Sequence, residues 1–102
     1  MSKSAITIDQ AVDDRLPPTH PGEILRDELA ELALSANAFA ARIGVPTNRI
    51  TEILAGRRSI SAETALRLGR FFGTSAQSWM NLQANYDLSA SRPSKSVKRL
   101  VA

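Results

Sequence analysis

The chain has 102 residues, a net charge of +3, no cysteine and one histidine. This length accommodates a single core, and the lack of cysteine excludes a disulfide framework and a thiolate metal site. No segment reaches the ~18 apolar residues of a membrane span, and the N-terminus has no apolar secretion core. We therefore expect one cytoplasmic domain of bacterial type, without a metal ion or a cofactor.

The charges divide the chain into an acidic and a basic part. Residues 1–34 contain three basic and seven acidic residues, whereas residues 35–102 contain ten basic and three acidic residues. The basic part suits nucleic acid. The acidic part would be repelled by phosphate, so it suits a basic protein partner instead. Acidic residues near a helix start can alternatively serve only to complement the helix dipole.

The first predicted helix follows a lead of mixed composition. Residues 1–19 are expected to be flexible or extended, with at most a short strand at residues 5–8. Pro21 and Glu23 then open a helix, because proline suits the first helical position and an acid suits the first turn. Nothing near His20 suggests a metal or catalytic site, so a turn or capping role is favoured. The apolar residues predicted to form the buried stripe of this helix are Ile24, Leu25, Leu29 and Leu32.

Two short helices around a glycine form the centre of the chain. Ser35 is a good cap for the first helix, which ends at Gly44. The second runs from about Pro46 to Ala55 and closes at Gly56. Two helices joined by about four residues that include a glycine are typical of a helix-turn-helix, in which the second helix enters the DNA major groove.

Two more helices complete the predicted domain. Ser61 caps a helix at residues 62–72, and Ser75 caps another that ends at about residue 88 or 89. The residues predicted for the apolar face of the earlier helix are Ala65, Leu66, Leu68, Phe71 and Phe72. Residues 90–102 are basic and too polar to build a core, so disorder is expected. The sequence thus predicts an all-α, five-helix domain over residues 20–89.

The polar face of the predicted recognition helix provides the candidates for base reading. Arginine pairs with guanine, asparagine with adenine and glutamate with cytosine, and threonine contacts the thymine methyl group or a phosphate. Each candidate can alternatively be a solvated surface residue, and Glu52 can pair with Arg49 within the helix. The candidates are Thr47, Asn48, Arg49, Thr51 and Glu52.

Candidate phosphate contacts flank this helix on both sides. Ser35 and Asn37 begin the preceding helix, where free amide groups and the helix dipole favour an anion. Capping alone would also explain Ser35. Arg57 and Arg58 lie in the loop that follows and have no acidic neighbour in the sequence, so they are expected to contact phosphate unless the loop is simply solvated.

Aromatic and apolar residues recur at helical spacing in the fifth predicted helix. Trp79, Leu82 and Tyr86 are separated by three and four residues. Aromatic rings of this kind can stack on bases, but at this spacing they are more typical of a core or a dimer interface.

Three blocks of the sequence, in this order, resemble a known family. They are HPGEIL at 20–25, GVPTNRITEILAGRRSISAETALRLGRFFGTS at 44–75 and WMNLQANYDL at 79–88. These blocks are similar to the HigA antitoxin branch of the XRE, or lambda-repressor-like, helix-turn-helix proteins, and the resemblance spans roughly residues 19–89. The N-terminal lead and the basic tail fall outside these blocks.

This resemblance implies a type II antitoxin encoded beside a HigB-like toxin, an mRNA-cleaving ribonuclease that acts on the translating ribosome. Such an antitoxin binds and silences the toxin, and as a homodimer it represses its own operon. The dimer contact is then expected at Trp79, Leu82 and Tyr86, and the operator is expected to be an approximate palindrome. HigA-like sequences also occur as solitary regulators, so an XRE regulator without a toxin partner is the alternative.

The acidic first helix is the predicted toxin contact. A toxin that approaches ribosomal RNA should be basic, and acidic residues would complement it. The residues predicted to make this contact are Asp27, Glu28 and Glu31. An enzyme would require a catalytic constellation, and the sequence shows none.

Overall fold

The computed structural model describes residues 19–91 and 96–100, and it contains five α-helices and no strand within these ranges. The helices are α1 (Pro21–Glu31), α2 (Ala36–Ile43), α3 (Thr47–Leu54), α4 (Ala62–Phe72) and α5 (Ala76–Ala90). The predicted all-α, five-helix fold is therefore confirmed. No helix in the described part of the chain is long and apolar enough to cross a membrane.

Some predictions fall on residues that the structure does not describe. Residues 1–18 of the predicted lead, which include the short strand at residues 5–8, lie outside the described residues, as do residues 92–95 and 101–102 of the tail. Residues 96–100 are described and form no helix or strand. The proposed division into lead, domain and tail stays a prediction.

The helix boundaries follow the caps expected from the sequence. Ser35, Ser61 and Ser75 stand in extended backbone before α2, α4 and α5, and each hydroxyl accepts the N–H of the residue three positions later. Gly44 ends α2 in the left-handed region with φ of 77°. A residue with a Cβ adopts this conformation only at a cost, so glycine is favoured there.

One apolar core joins the five helices. α1 packs against α3 and α5, α2 packs against α3 and α4, and α4 packs against α5. The buried hydrophobic residues of this core are Leu25, Leu29, Phe39, Ala40, Ile43, Ile50, Ile53, Ile60, Ala65, Leu68 and Trp79. Removing these side chains from water supplies the main driving force for folding.

Two of the predicted core positions are wrong. Leu32 is 46% exposed, because α1 ends at Glu31 and Leu32 belongs to the turn that follows. Leu66 is 63% exposed. It follows the buried Ala65 by one residue, which turns its side chain by about 100° around the helix axis and away from the core.

His20 caps the first helix, as the sequence indicated. Its Nδ1 accepts the N–H of Gly22 at 2.9 Å, and its ring packs edge to face with the ring of Tyr86, with the ring centres 4.9 Å apart. Burial lowers the pKa of His20 below the usual 6.5, and this effect exceeds the opposing attraction of Asp87 and Glu23 for the charged ring. A neutral ring is required, because a protonated Nδ1 cannot accept this hydrogen bond.

The lowered pKa of His20 predicts an acid-sensitive stability. In the unfolded chain His20 binds a proton near pH 6.5, whereas in the folded protein it binds the proton only at lower pH. The free energy of unfolding should therefore fall as the pH decreases from 6.5 toward the pKa of folded His20. Urea unfolding at pH 8 and pH 5 measures this loss in the wild type and in His20→Asn, which retains a capping side chain but does not titrate. An equal loss in both proteins would contradict the prediction.

Candidate nucleic-acid interface

Helix α3 buries its apolar side and presents its polar side at the surface. Ile50 and Ile53 are fully buried. None of the predicted base-reading residues is fully buried. Asn48 and Thr51 are exposed, and Thr47, Arg49 and Glu52 are half-buried. Thr51 donates its hydroxyl proton to the carbonyl of Asn48 at 3.2 Å, so its methyl group and oxygen lone pairs are the parts left for other contacts.

The start of α2 lies beside the start of α3. Ser35 accepts the N–H of Ala38 at 3.0 Å and is thus a cap, whatever else it contacts. The Thr47 hydroxyl donates to Oδ1 of Asn37 at 2.7 Å, which joins a candidate phosphate contact to a candidate base reader. This bond uses the acceptor of Asn37 and not its amide hydrogens, which are the donors that a phosphate would require.

The arginines near α3 have partners that the sequence did not indicate. Arg58 Nε lies 2.8 Å from Glu52 Oε1, and Arg49 Nη1 lies 3.3 Å from Glu63 Oε1 of α4. The alternative pairing of Glu52 with Arg49 is therefore absent, and Arg58 does have an acidic neighbour because the loop folds back beside α3. Arg57 is exposed and forms no side-chain hydrogen bond or ion pair with the described residues. It is the arginine of this loop best placed to meet a phosphate.

Two further arginines hold the helix-turn-helix from outside it. Arg26 of α1 donates to the carbonyl of Leu54 at 2.8 Å, and Arg67 of α4 donates to the carbonyl of Ile43 at 2.7 Å. A cation at the C-terminus of a helix satisfies a free carbonyl and complements the helix dipole. These anchors are 28 and 24 residues away from their partners, so no local pattern reveals them.

A buried glutamine fixes the loop between α3 and α4. Gln83 of α5 is 4% exposed, and its Oε1 accepts the N–H of Ile60 at 2.7 Å. Its Nε2 donates to Asp87 Oδ1 at 3.0 Å. A buried backbone N–H without a partner would destabilise the fold, so this bond holds the end of the loop against α5. The loop that carries Arg57 and Arg58 is thereby attached to α5 as well as to α3.

The structure corrects one residue in each of the two predicted protein contacts. Trp79 is fully buried in the protomer, so it forms part of the core and cannot touch a second copy, while Leu82 and Tyr86 remain half-buried on α5. Glu28 is only 7% exposed, because it lies on the side of α1 that faces the core. It is therefore removed from the predicted toxin contact, to which the exposed Asp27 and Glu31 still belong.

Comparisons with known proteins agree with this geometry. Residues 25–79 match the helix-turn-helix family model. A HigA-family addiction module antidote protein from Coxiella burnetii is 55% identical, with a TM-score of 0.72 over 72% of this chain and 82% of its own. The Pseudomonas aeruginosa antitoxin HigA, solved with the higBA promoter, is 52% identical, with a TM-score of 0.69 over 71% of this chain and 79% of its own.

A curated relative has a different description. The Escherichia coli protein YddM, an uncharacterized helix-turn-helix transcriptional regulator, is 31% identical over 78% of this chain and 85% of its own length. The two solved structures are named as an antidote protein and an antitoxin, whereas this relative is named as a transcriptional regulator. With the fold, the polar face of α3 and these similarities together, the chain belongs to the XRE-type helix-turn-helix proteins, as a member of their HigA antitoxin branch.

Proposed function

We propose that this protein is the antitoxin of a type II pair in the bacterial cytoplasm, where it binds and silences a HigB-like, ribosome-dependent mRNA ribonuclease. As a homodimer it also represses its own operon. The observation that carries the DNA-binding half is the surface of α3, where Thr47 bonds to Asn37 near the start of α2 and the exposed Arg57 follows the end of the helix. A recognition helix with phosphate contacts on each side matches how helix-turn-helix proteins dock in the major groove.

The antitoxin role is supported by similarity to the two HigA proteins and by the acidic side of α1. Asp27 and Glu31 are exposed and four residues apart, so they lie on one face of the helix. The polar surface of α3 belongs to a different helix. We expect the acidic face of α1 to meet a basic toxin and the polar face of α3 to meet DNA.

The second candidate function is a solitary transcriptional regulator. The similarity to the Escherichia coli protein favours it, since that relative is named as a transcriptional regulator. It would use the same DNA surface, so operator binding does not separate the two functions. Inhibition of a toxin does.

Reversing the acidic charges of α1 tests the antitoxin role. Wild-type protein added to a translation extract should restore synthesis that is blocked by the HigB-like product of the adjoining gene. Asp27→Lys combined with Glu31→Lys should weaken toxin binding by about tenfold or more, because like charges would then meet. Titration calorimetry measures this loss.

Operator affinity serves as the control for the α1 variant. It should not fall, since the substitutions lie outside α3 and add positive charge. Unchanged toxin affinity would remove α1 from the toxin contact. A wild-type protein that binds its operator but leaves translation blocked would favour the solitary regulator.

A further inference from the structure

The side chain of Glu63 connects the recognition helix to α4 and α2. Its Oε1 lies 3.3 Å from Nη1 of Arg49, and its Oε2 accepts a hydrogen bond from Nε of Arg67. Arg67 in turn donates to the carbonyl of Ile43, the last residue of α2, at 2.7 Å. The candidate base reader Arg49 is therefore held by a carboxylate of α4, and that carboxylate is held by Arg67 of the same helix, which bonds to the end of α2.

The chemistry of this arrangement leaves Arg49 able to bind a base. A guanidinium has five N–H donors, and bidentate recognition of guanine uses two of them. The contact with Glu63 involves the Nη1 group, so donors on Nη2 and Nε remain. The contact also removes freedom from a long side chain, and ordering such a side chain before binding reduces the entropy lost on binding.

We propose that Glu63 is a positioning residue for DNA reading, which fixes the Arg49 guanidinium for one base and thereby sets sequence preference. This inference rests on the proposed DNA-binding function and assigns a role to a residue outside α3. Arg67 completes the arrangement, because its bond to Ile43 limits where the Glu63 carboxylate can move. Glu63 need not touch DNA to act in this way.

Positioning and simple charge repulsion predict different results for Glu63→Gln. If Glu63 only repelled phosphate, the substitution would tighten binding to every sequence alike. If it positions Arg49, the ratio of operator affinity to scrambled-DNA affinity should fall. We expect a fall of about two- to fivefold, the range in which partly exposed ion pairs are measured.

A double-mutant cycle makes the test specific. Affinities for the operator and for scrambled DNA are measured by fluorescence anisotropy at one salt concentration for wild type, Glu63→Gln, Arg49→Ala and the double variant. In the Arg49→Ala background, Glu63→Gln should leave the affinity ratio unchanged, because the group that it positions is gone. An unchanged ratio in the single Glu63→Gln variant, or an equal fall in both backgrounds, would overturn the proposal.

The outcomes also separate this proposal from the proposed function. A wild-type protein without preference for its operator would contradict the DNA-binding function itself. A wild-type preference that Arg49→Ala reduces and Glu63→Gln does not would contradict only the positioning role. As a second measurement, nitrogen relaxation of the Arg49 Nε–H group in the free protein should show greater mobility in Glu63→Gln, and unchanged mobility would count against positioning.

Discussion

Replacing Arg49 by alanine is expected to remove most of the preference for guanine at one position of each operator half-site. A bidentate arginine–guanine pair is worth about 1–3 kcal/mol of discrimination, roughly a five- to 140-fold change in relative affinity. The reason lies in the position of Arg49, in the first turn of α3 and with 31% of its side chain accessible. Binding to a set of operators, each with one base pair changed, measures the effect.

The control for this prediction is Arg57→Ala. Arg57 is exposed in the loop after α3, and a phosphate contact there carries no base information. Its loss should weaken operator and scrambled DNA by similar factors and should reduce the slope of log affinity against log salt by about one. If Arg49→Ala behaved like Arg57→Ala, Arg49 would be a phosphate contact and not a base reader.

The parts of the fold that local chemistry determines were predictable from the sequence. Serine before a helix and glycine after it satisfy backbone groups within a few residues, so the starts and ends of α2 and α4 could be read directly. The existence of all five helices and the inward direction of Ile50 and Ile53 follow from the same short-range periodicity. For the same reason, the polar face of α3 could be predicted.

The partners of the candidate site residues were not predictable in the same way. Glu63 and Arg67 are four residues apart, and this spacing within a helix is a readable signal. The contact of Glu63 with Arg49, and that of Arg67 with Ile43, depend on how α4 packs against the motif. Likewise, helical spacing places Trp79 on the apolar side of α5 but does not say whether a core or a second protomer covers it. Only its complete burial decides this.

The orientation of α3 depends on helices outside the helix-turn-helix. Arg26 of α1 binds the carbonyl of Leu54 at the end of α3, and the start of α1 packs on the carbonyl of Ile53. The HPGEIL block at residues 20–25 contains none of the predicted DNA contacts, and through Gly22 we expect it to affect DNA binding by placing α3. The packing of Gly22 is the feature of this block that a single substitution tests most directly.

Gly22→Ala is expected to destabilise the protein by about 1–3 kcal/mol or more, the usual cost of overpacking. A Cβ at this position would lie 1.9 Å from the carbonyl oxygen of Ile53 and 2.9 Å from its carbonyl carbon. Both are backbone atoms, so no side-chain rotation relieves the clash and α1 must move away from α3. Alanine is otherwise favoured over glycine in a helix by about 1 kcal/mol, so a net loss of stability can come only from the lost space. Urea unfolding measures it.

A second glycine provides the control for Gly22→Ala. Gly73 has a left-handed φ of 73°, and a Cβ there would meet nothing within 4 Å. Asparagine tolerates this conformation better than other residues with a Cβ, so Gly73→Asn should cost much less than Gly22→Ala. An unchanged or increased free energy of unfolding for Gly22→Ala would show that α1 can shift freely on α3. In that case the packing of α1 would not determine the position of α3.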